Sequence, residues 1–239
     1  MAEGIDCVSL KQYQGCDKTR VFGCAIHGRT TLEACQTCTE HRSYFAYPDF
    51  EIAGVIQTTP HRQQYFKQAF RSLLHVCDHA EQEIDSPPSG AFPAFVMAMT
   101  RLFYRHPHAS AYLYLQDDTV LKQDTAKILA NELPSVYAVA SLYNPPDLPH
   151  FNTDVKWQQV DNGWNSPGAC CYVFSPEGIR SLLRDPYLQW HRLRGATGGM
   201  RGIDSVVGVW AAQHGGIWYR RKALAKHLGV ISSIDRGGV

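Results

Sequence analysis

An excess of charge of either sign is the first thing this sequence lacks. Its 239 residues include 23 lysines and arginines against 22 aspartates and glutamates. Such a balance provides no global field to attract nucleic acid or an anionic membrane, so we expect neither as a partner. No apolar run has the length of a bilayer span, and the first residues lack the basic and then apolar order of a secretory signal. We therefore expect a cytoplasmic protein without a transmembrane segment.

Glycine-rich phosphate-binding loops of the two common types are also missing, although the chain has 19 glycines. Their absence counts against P-loop and Rossmann chemistry, because both place a phosphate on a helix N-terminus that follows such a loop. The sequence has no internal repeat and no low-complexity segment. Its length suits one large domain with a small appendage.

Cysteine is sparse except at the start of the chain, where five of the eight cysteines lie within the first forty residues. In a reducing compartment this clustering favours a metal over disulfides. Cys24 with His27 and Cys35 with Cys38 have the spacing of tetrahedral zinc ligands. An iron–sulfur site and a tail of free thiols are the alternatives. The further candidate ligands are Cys7, Cys16 and His41.

A bound zinc ion can hold together a segment that is poor in apolar residues. We therefore predict a zinc-stabilised segment over residues 1–46 and one larger domain over residues 47–239. Within that domain, patterns typical of strands alternate with patterns typical of helices, which predicts an α/β fold with a mainly parallel sheet flanked by helices. The predicted strands are 52–57, 112–115, 136–142, 169–174 and 217–219.

One predicted strand ends in two adjacent carboxylates. The run from Tyr112 to Leu115 is apolar at every position, as in a strand buried on both faces of a sheet. Asp117 and Asp118 follow at its carboxyl end, where open α/β sheets bind ligands. Adjacent carboxylates repel each other unless a cation or a donor-rich ligand lies between them. The alternative is an acidic turn, because Asp is common in turns.

Four segments of the larger domain form an ordered set, and in chain order they are Thr58-Thr-Pro-His-Arg62, Gln116-Asp117-Asp118, Gly202-Ile-Asp-Ser205 and Leu224-Ala-Lys-His-Leu-Gly-Val-Ile-Ser-Ser-Ile234. Through this set the chain, from about residue 50 to residue 234, resembles the GT-A-type glycosyltransferases, which use nucleotide sugars as donors. The second segment is similar to their DXD motif, and the fourth to the closing His-x-Gly-x-x-Ser segment of several such families.

The resemblance implies a divalent cation, Mn2+ or Mg2+, that binds together with the donor diphosphate. Asp118 would be a direct ligand, Asp117 would contact the ribose or a metal-bound water, and His227 would complete the site. These cations take carboxylate and phosphate oxygens, and manganese also accepts imidazole. The alternative for His227 is a core or helix-end histidine. The sequence departs from the family at Gln116, where an acid is common.

The donor implied by the resemblance is a nucleoside-diphosphate sugar, with a UDP-sugar favoured. We expect Thr58, Thr59 and Arg62 to contact it from the segment after the first strand, and Gln116 from beside the aspartates. Lys222 belongs to a basic run before His227 and is a candidate ligand of the diphosphate oxygens. The alternative for Lys222 is a solvated basic surface.

An inverting transfer needs a general base that removes the acceptor hydroxyl proton. The resemblance places Asp204 in that role, and the alternative for Asp204 is a helix N-cap. Trp164 lies in a polar segment and is our candidate platform for a carbohydrate acceptor. The glycine-rich residues 195–202 have the composition of a lid. Cys170 and Cys171 begin a predicted buried strand, and we assign them no chemistry.

We therefore predict a metal-dependent transferase that moves a sugar from a nucleoside diphosphate to a hydroxyl acceptor. Inversion is favoured, and retention stays open. One alternative is a non-catalytic module that binds nucleotide or glycan and carries a zinc knuckle. The other is a sugar-phosphate nucleotidyltransferase, which usually opens with a glycine- and basic-rich loop that Thr58–Arg62 does not match.

Overall fold

A computed structural model describes residues 22–24, 28–30, 50–86, 90–144, 154–160, 169–186, 188 and 202–229. Near the start of the chain it gives two short strands, β1 (Phe22–Cys24) and β2 (Gly28–Thr30), which pair antiparallel. The zinc site and the boundary at residue 47 stay predictions. The other candidate zinc ligands lie outside the described residues: Cys7, Cys16, His27, Cys35, Cys38 and His41.

Seven strands form the central sheet. Five of them run in the same direction, whereas the fourth strand in spatial order and the last one, at the edge, run opposite to their neighbours. The mainly parallel sheet predicted from the sequence is thereby confirmed, with one reversed strand in its interior. In spatial order the strands are β4 (His79–Ile84), β3 (Ile52–Thr58), β5 (Ala111–Gln116), β9 (Cys171–Phe174), β7 (Val139–Ser141), β10 (Ile217–Arg220) and β8 (Trp157–Val160).

Helices cover both faces of this sheet. On one face lie α1 (Gln63–Val76) and α3 (Thr125–Glu132). On the other lie α2 (Ala91–Arg105), α4 (Pro176–Arg184) and α5 (Ile203–Ala212). None of the helices in the described part of the chain combines the length and the apolarity that crossing a bilayer requires.

The buried run of β5 explains why the sheet needs helices on both sides. Tyr112 and Tyr114 point into the core formed with α2, α4 and α5, whereas Leu113 and Leu115 point into the core formed with α1 and α3. All four side chains are fully buried. Because alternate residues of a strand face opposite sides, a run that is apolar at every position is stable only between two helical layers.

A second, smaller sheet lies beside the first. Strand β6 (Thr119–Leu121) follows the two aspartates and pairs antiparallel with β11 (Ala225–His227). The Ser72 hydroxyl of α1 accepts a hydrogen bond of 3.0 Å from the Leu121 amide and holds β6 against that helix. This small sheet was not predicted, because three-residue strands are too short to show a hydrophobic period.

Candidate functional site

The two aspartates lie where two neighbouring parallel strands end. Gln57 of β3 pairs with Gln116 of β5, so the residues that follow these strands meet at the same edge of the sheet. The Thr58 hydroxyl donates a hydrogen bond of 2.7 Å to Asp117 Oδ2. Sequence reasoning placed ligand-binding residues at this edge, and the structure brings Thr58 and Asp117 into contact there.

Arg62 lies between the two carboxylates. It ends a short 3-10 turn, Pro60–Arg62, which follows β3. Its Nε donates to Asp117 Oδ1 at 2.8 Å, and its Nη2 donates to Asp118 Oδ2. The Arg62 side chain is 12% exposed, against 6% and 5% for the two aspartates. The planar guanidinium suits this double contact, because its donors form a rigid fork.

The second sheet brings His227 to the same place. Its register sets His227 opposite Thr119, and the Leu228 amide donates to the Asp118 carbonyl at 2.8 Å. The Nε2 atom of His227 consequently lies 3.3 Å from Asp118 Oδ2. The ring of Tyr143 lies beside that imidazole, with 6.2 Å between the ring centres. His227 is therefore not a core histidine, since it is partly exposed at the rim of the site.

Burial and charge act against each other on the pKa values of Asp117 and Arg62. Burial raises the pKa of Asp117, although the hydrogen bond from Thr58 and the charge of Arg62 oppose the rise. Burial also acts to lower the pKa of Arg62, but the charges of Asp117 and Asp118 outweigh it, so this pKa is raised. The guanidinium is thus held firmly in its charged form, and it neutralises the acidic pair.

The donor set fits a divalent cation that arrives with a phosphate. Asp118 Oδ1 is buried and has no hydrogen-bond partner among the described residues. Adjacent ligands of an octahedral magnesium ion lie about 3 Å apart, close to the 3.3 Å between His227 Nε2 and Asp118 Oδ2. No cluster of three or more His, Cys, Asp or Glu ligands occurs in the described ranges. Among the described residues, Asp118 and His227 are the candidate ligands, and phosphate oxygens and water would supply the others.

Asp204 lies at the start of α5 and faces the same region. Its Oδ1 accepts a hydrogen bond of 2.9 Å from the Ser205 amide. Gly202, and not Asp204, is the N-cap of this helix. The Asp204 charge adds to the effect of burial in raising the pKa of Tyr219 on β10.

The charges of both Asp118 and Asp204 act on Cys170, a residue to which the sequence assigned no role. Burial raises the pKa of its thiol to about 12, and the charges of Asp118 and then Asp204 contribute to the rise. Its position follows from the reversed direction of β9, because the Cys170 carbonyl accepts a hydrogen bond of 2.9 Å from the Gln116 amide at the end of β5. The hydrophobic pattern of a strand does not indicate its direction, so the sequence could not predict that Cys170 lies beside the end of β5.

Three other predicted donor residues have different environments. Thr59 is half-buried, and its carbonyl accepts a hydrogen bond of 3.0 Å from the Arg62 amide, which closes the turn that carries Arg62. Gln116 is half-buried at the end of β5. Lys222 is exposed in the turn before β11, where its carbonyl accepts from Arg220. The exposed position of Lys222 matches the alternative of a solvated basic surface. Trp164 and residues 195–201 lie outside the described residues.

Comparisons with known proteins give structural likenesses and no match in sequence. No protein-family model matches the chain, and no curated protein matches it in sequence. Among solved structures, the chain is similar to a glycosyltransferase involved in the glycosylation of the major capsid of PBCV-1. The two share 10% sequence identity and a TM-score of 0.48, over 78% of this chain and 96% of the other.

Proposed function

We propose that this protein is a metal-dependent glycosyltransferase that uses a nucleoside-diphosphate sugar, with a UDP-sugar favoured. The observation that carries the proposal is the pairing of Asp118 and His227. A buried carboxylate with one unpartnered oxygen lies at the carboxyl end of β5, and an imidazole is held 3.3 Å from its other oxygen. These two ligands would suit Mn2+, which accepts imidazole as well as carboxylate and phosphate oxygens, and the donor diphosphate would complete its coordination.

The roles of the residues follow from their places around this pair. Asp118 and His227 would hold Mn2+ or Mg2+, which neutralises the diphosphate leaving group as the glycosidic bond breaks. Thr58 orients Asp117 through its 2.7 Å hydrogen bond, and Asp117 would contact the ribose or a metal-bound water. Arg62 provides a second positive charge for the phosphate oxygens.

The acceptor would bind between Asp118 and Asp204, on the side of Cys170. Asp204 would remove the proton from the acceptor hydroxyl, which gives an inverting transfer. The nearby helix N-terminus favours the ionised form that a general base needs. The raised pKa keeps the Cys170 thiol neutral at physiological pH, so it would form a compact, uncharged wall of the acceptor site.

The experiment is a thermal-shift screen of UDP, GDP and CMP and their sugars, with and without Mn2+, followed by turnover assays. A ligand that binds only the native state raises the melting temperature. We expect a manganese-dependent shift for one nucleoside diphosphate, absent in Asp118→Ala and kept in Asp124→Ala. Asp124 is a fair control because it is exposed and its side chain makes no cap hydrogen bond. A shift that survives in Asp118→Ala would remove Asp118 from the site.

The ion pairs of Arg62 favour a second candidate, a module that binds nucleotide or glycan without turnover. In that case Arg62 neutralises the acidic pair permanently, and no cation takes its place. The variant Asp204→Asn distinguishes the two candidates. An enzyme with this substitution loses turnover rate and keeps its nucleotide affinity, whereas a binding module has no turnover in the wild type either.

A further inference from the structure

One oxygen atom of the site has two nitrogen atoms as close neighbours. Asp118 Oδ2 accepts a hydrogen bond from Arg62 Nη2 and also lies 3.3 Å from His227 Nε2. The position between the Asp118 oxygen and the imidazole is the one that a divalent cation would take. A cation bound there would share Asp118 Oδ2 with the guanidinium of Arg62, so the two cations compete for this oxygen, whereas Asp118 Oδ1 has no hydrogen-bond partner among the described residues.

We infer that Arg62 is the resident cation of the nucleotide-free site, and that it must release Asp118 before a divalent cation binds. This inference rests on the proposed function, and it adds an order of events to it. The metal displaces the Arg62 guanidinium from Asp118, and Arg62 then pairs with the diphosphate that binds with the metal. Arg62 is thus a positioning residue that couples metal binding to donor binding.

The competition follows from charge and burial. The three side chains lie in a pocket where their exposed fractions are 12% or less, so their charges are poorly screened. A metal ion beside the guanidinium would place two positive groups on one oxygen, which is unfavourable at these distances. Removal of Arg62 would leave Asp117 and Asp118 unneutralised and would thereby create a stronger cation site.

The position of Arg62 allows such a release. It is the last residue of the 3-10 turn and the N-cap of α1, and its amide donates a hydrogen bond of 3.0 Å to the Thr59 carbonyl. The guanidinium carbon lies 5.9 Å from the centre of the Tyr65 ring, a contact that can keep the charged group near the site after it releases Asp118. We expect the release to need a rotation of the Arg62 side chain and no change in the fold.

A diphosphate makes the exchange favourable. Once Arg62 leaves the acidic pair, it is a buried charge without a carboxylate, and such a charge needs a new partner. Phosphate oxygens accept the two parallel donors of a guanidinium. Metal and diphosphate should consequently bind with positive coupling, because each removes part of the cost of displacing Arg62. The coupling is reciprocal, as linkage requires.

The test measures binding of Mn2+ alone to the full chain, by calorimetry or by the loss of the free-manganese magnetic-resonance signal. We expect Arg62→Gln to bind Mn2+ about tenfold more tightly than the wild type or better, a difference of about 1.4 kcal/mol. Arg71→Gln is the matched control, since it is the same substitution on the same helix region at an exposed site, and it should equal the wild type. Arg62→Gln should also bind inorganic pyrophosphate with Mn2+ less cooperatively than the wild type does.

Two results would overturn the inference. One is an affinity of Arg62→Gln for Mn2+ alone that equals or falls below that of the wild type. The other is no detectable Mn2+ binding by either protein. A second variant, Arg62→Lys, serves if Arg62→Gln does not fold. A single ammonium group holds both carboxylates less well than the guanidinium does. Mn2+ alone should therefore bind more tightly to Arg62→Lys than to the wild type.

The inference and the proposed function can fail separately. If Arg62→Gln gains manganese affinity but no nucleotide shifts the wild type, the competition between Arg62 and the metal stands, whereas the glycosyltransferase proposal fails. If the wild type turns over a nucleotide sugar with Mn2+ while Arg62→Gln binds Mn2+ no better, the proposed function stands and the displacement of Arg62 by the metal is wrong.

Discussion

His227 lies 3.3 Å from Asp118 because of a strand register and not because of any closeness in the sequence. Strand β11 pairs with β6 so that His227 is opposite Thr119, the residue directly after Asp118. The Leu228 amide reinforces this register by donating to the Asp118 carbonyl. The small second sheet thus has one evident use, which is to join the C-terminal segment to the acidic turn.

The first prediction concerns His227. We expect His227→Ala to reduce the melting-temperature shift that Mn2+ and a nucleoside diphosphate produce together, because it removes one of the two protein ligands that we propose for the cation. His108→Ala changes an exposed histidine away from the site and should leave the shift unchanged. A full shift in His227→Ala would show that the imidazole only packs beside Tyr143.

The second prediction concerns Asp204. Asp204→Asn should lower kcat by about 10²- to 10⁴-fold, the usual contribution of a general base, with little change in donor affinity. The exposed residue Asp124 again supplies the control, as Asp124→Asn. Steady-state assays with the donor found in the nucleotide screen give kcat, and calorimetry gives the affinity. An unchanged kcat would assign the proton transfer to another group.

The third prediction concerns stability and pH at the outer edge of the sheet. Burial acts to raise the pKa of Glu81 on β4, but the hydrogen bonds from His106 and Arg105, with the charge of Arg105, outweigh it and lower this pKa. The stabilising contribution of Glu81 is therefore fully present above the unfolded pKa of about 4.3. It is lost as the pH falls through the lower pKa of the folded state.

Urea unfolding of the wild type and of Glu81→Gln tests this linkage. At pH 7 the variant should be less stable by about 1 kcal/mol or less, because ion pairs that are partly exposed are screened by solvent. At pH 3 the two proteins should have nearly equal stability. A difference that stays the same at both pH values would show that the charge of Glu81 contributes nothing.

The fourth prediction concerns the packing of α1 on the sheet. A Cβ atom on Gly54 of β3 would overlap the Cys77 thiol and would lie 2.9 Å from Leu73. Gly54→Ala should therefore destabilise the fold by about 1–3 kcal/mol, the usual cost of overpacking. In Gly54→Ala with Cys77→Ala, the loss should be smaller than the sum of the two single losses. Additive losses in urea unfolding would place the strain elsewhere.

The fifth prediction concerns the cysteine-rich segment. Freshly purified protein should contain one zinc ion per chain, and Cys35→Ser with Cys38→Ser should lose it, because both thiolates are candidate ligands. The circular dichroism of the main domain should not change, since that domain has its own core. Metal analysis that finds no zinc in the wild type would leave the free-thiol alternative, and iron would indicate an iron–sulfur site.

Much of the α/β fold could be predicted, because the strongest patterns are local. Ser175 followed by proline predicted the start of α4, and the Ser175 hydroxyl accepts a hydrogen bond of 2.9 Å from the Gly178 amide. The strand at 139–141 is shorter than the predicted 136–142, since only its central residues pair with neighbours. Edge strands such as β4 were missed, because their alternating polar residues resemble those of loops.

The sequence by itself determined which residues are buried and where the acidic turn falls. An apolar run such as Tyr112 to Leu115 has to lie between two helical layers, and carboxylates that follow it have to lie at its end. Only the tertiary structure decided which groups meet these carboxylates. It brings Arg62 across from β3, His227 from β11 and Cys170 from the reversed strand β9. Pairing and strand direction depend on contacts between distant segments, and no local pattern of side chains encodes such contacts.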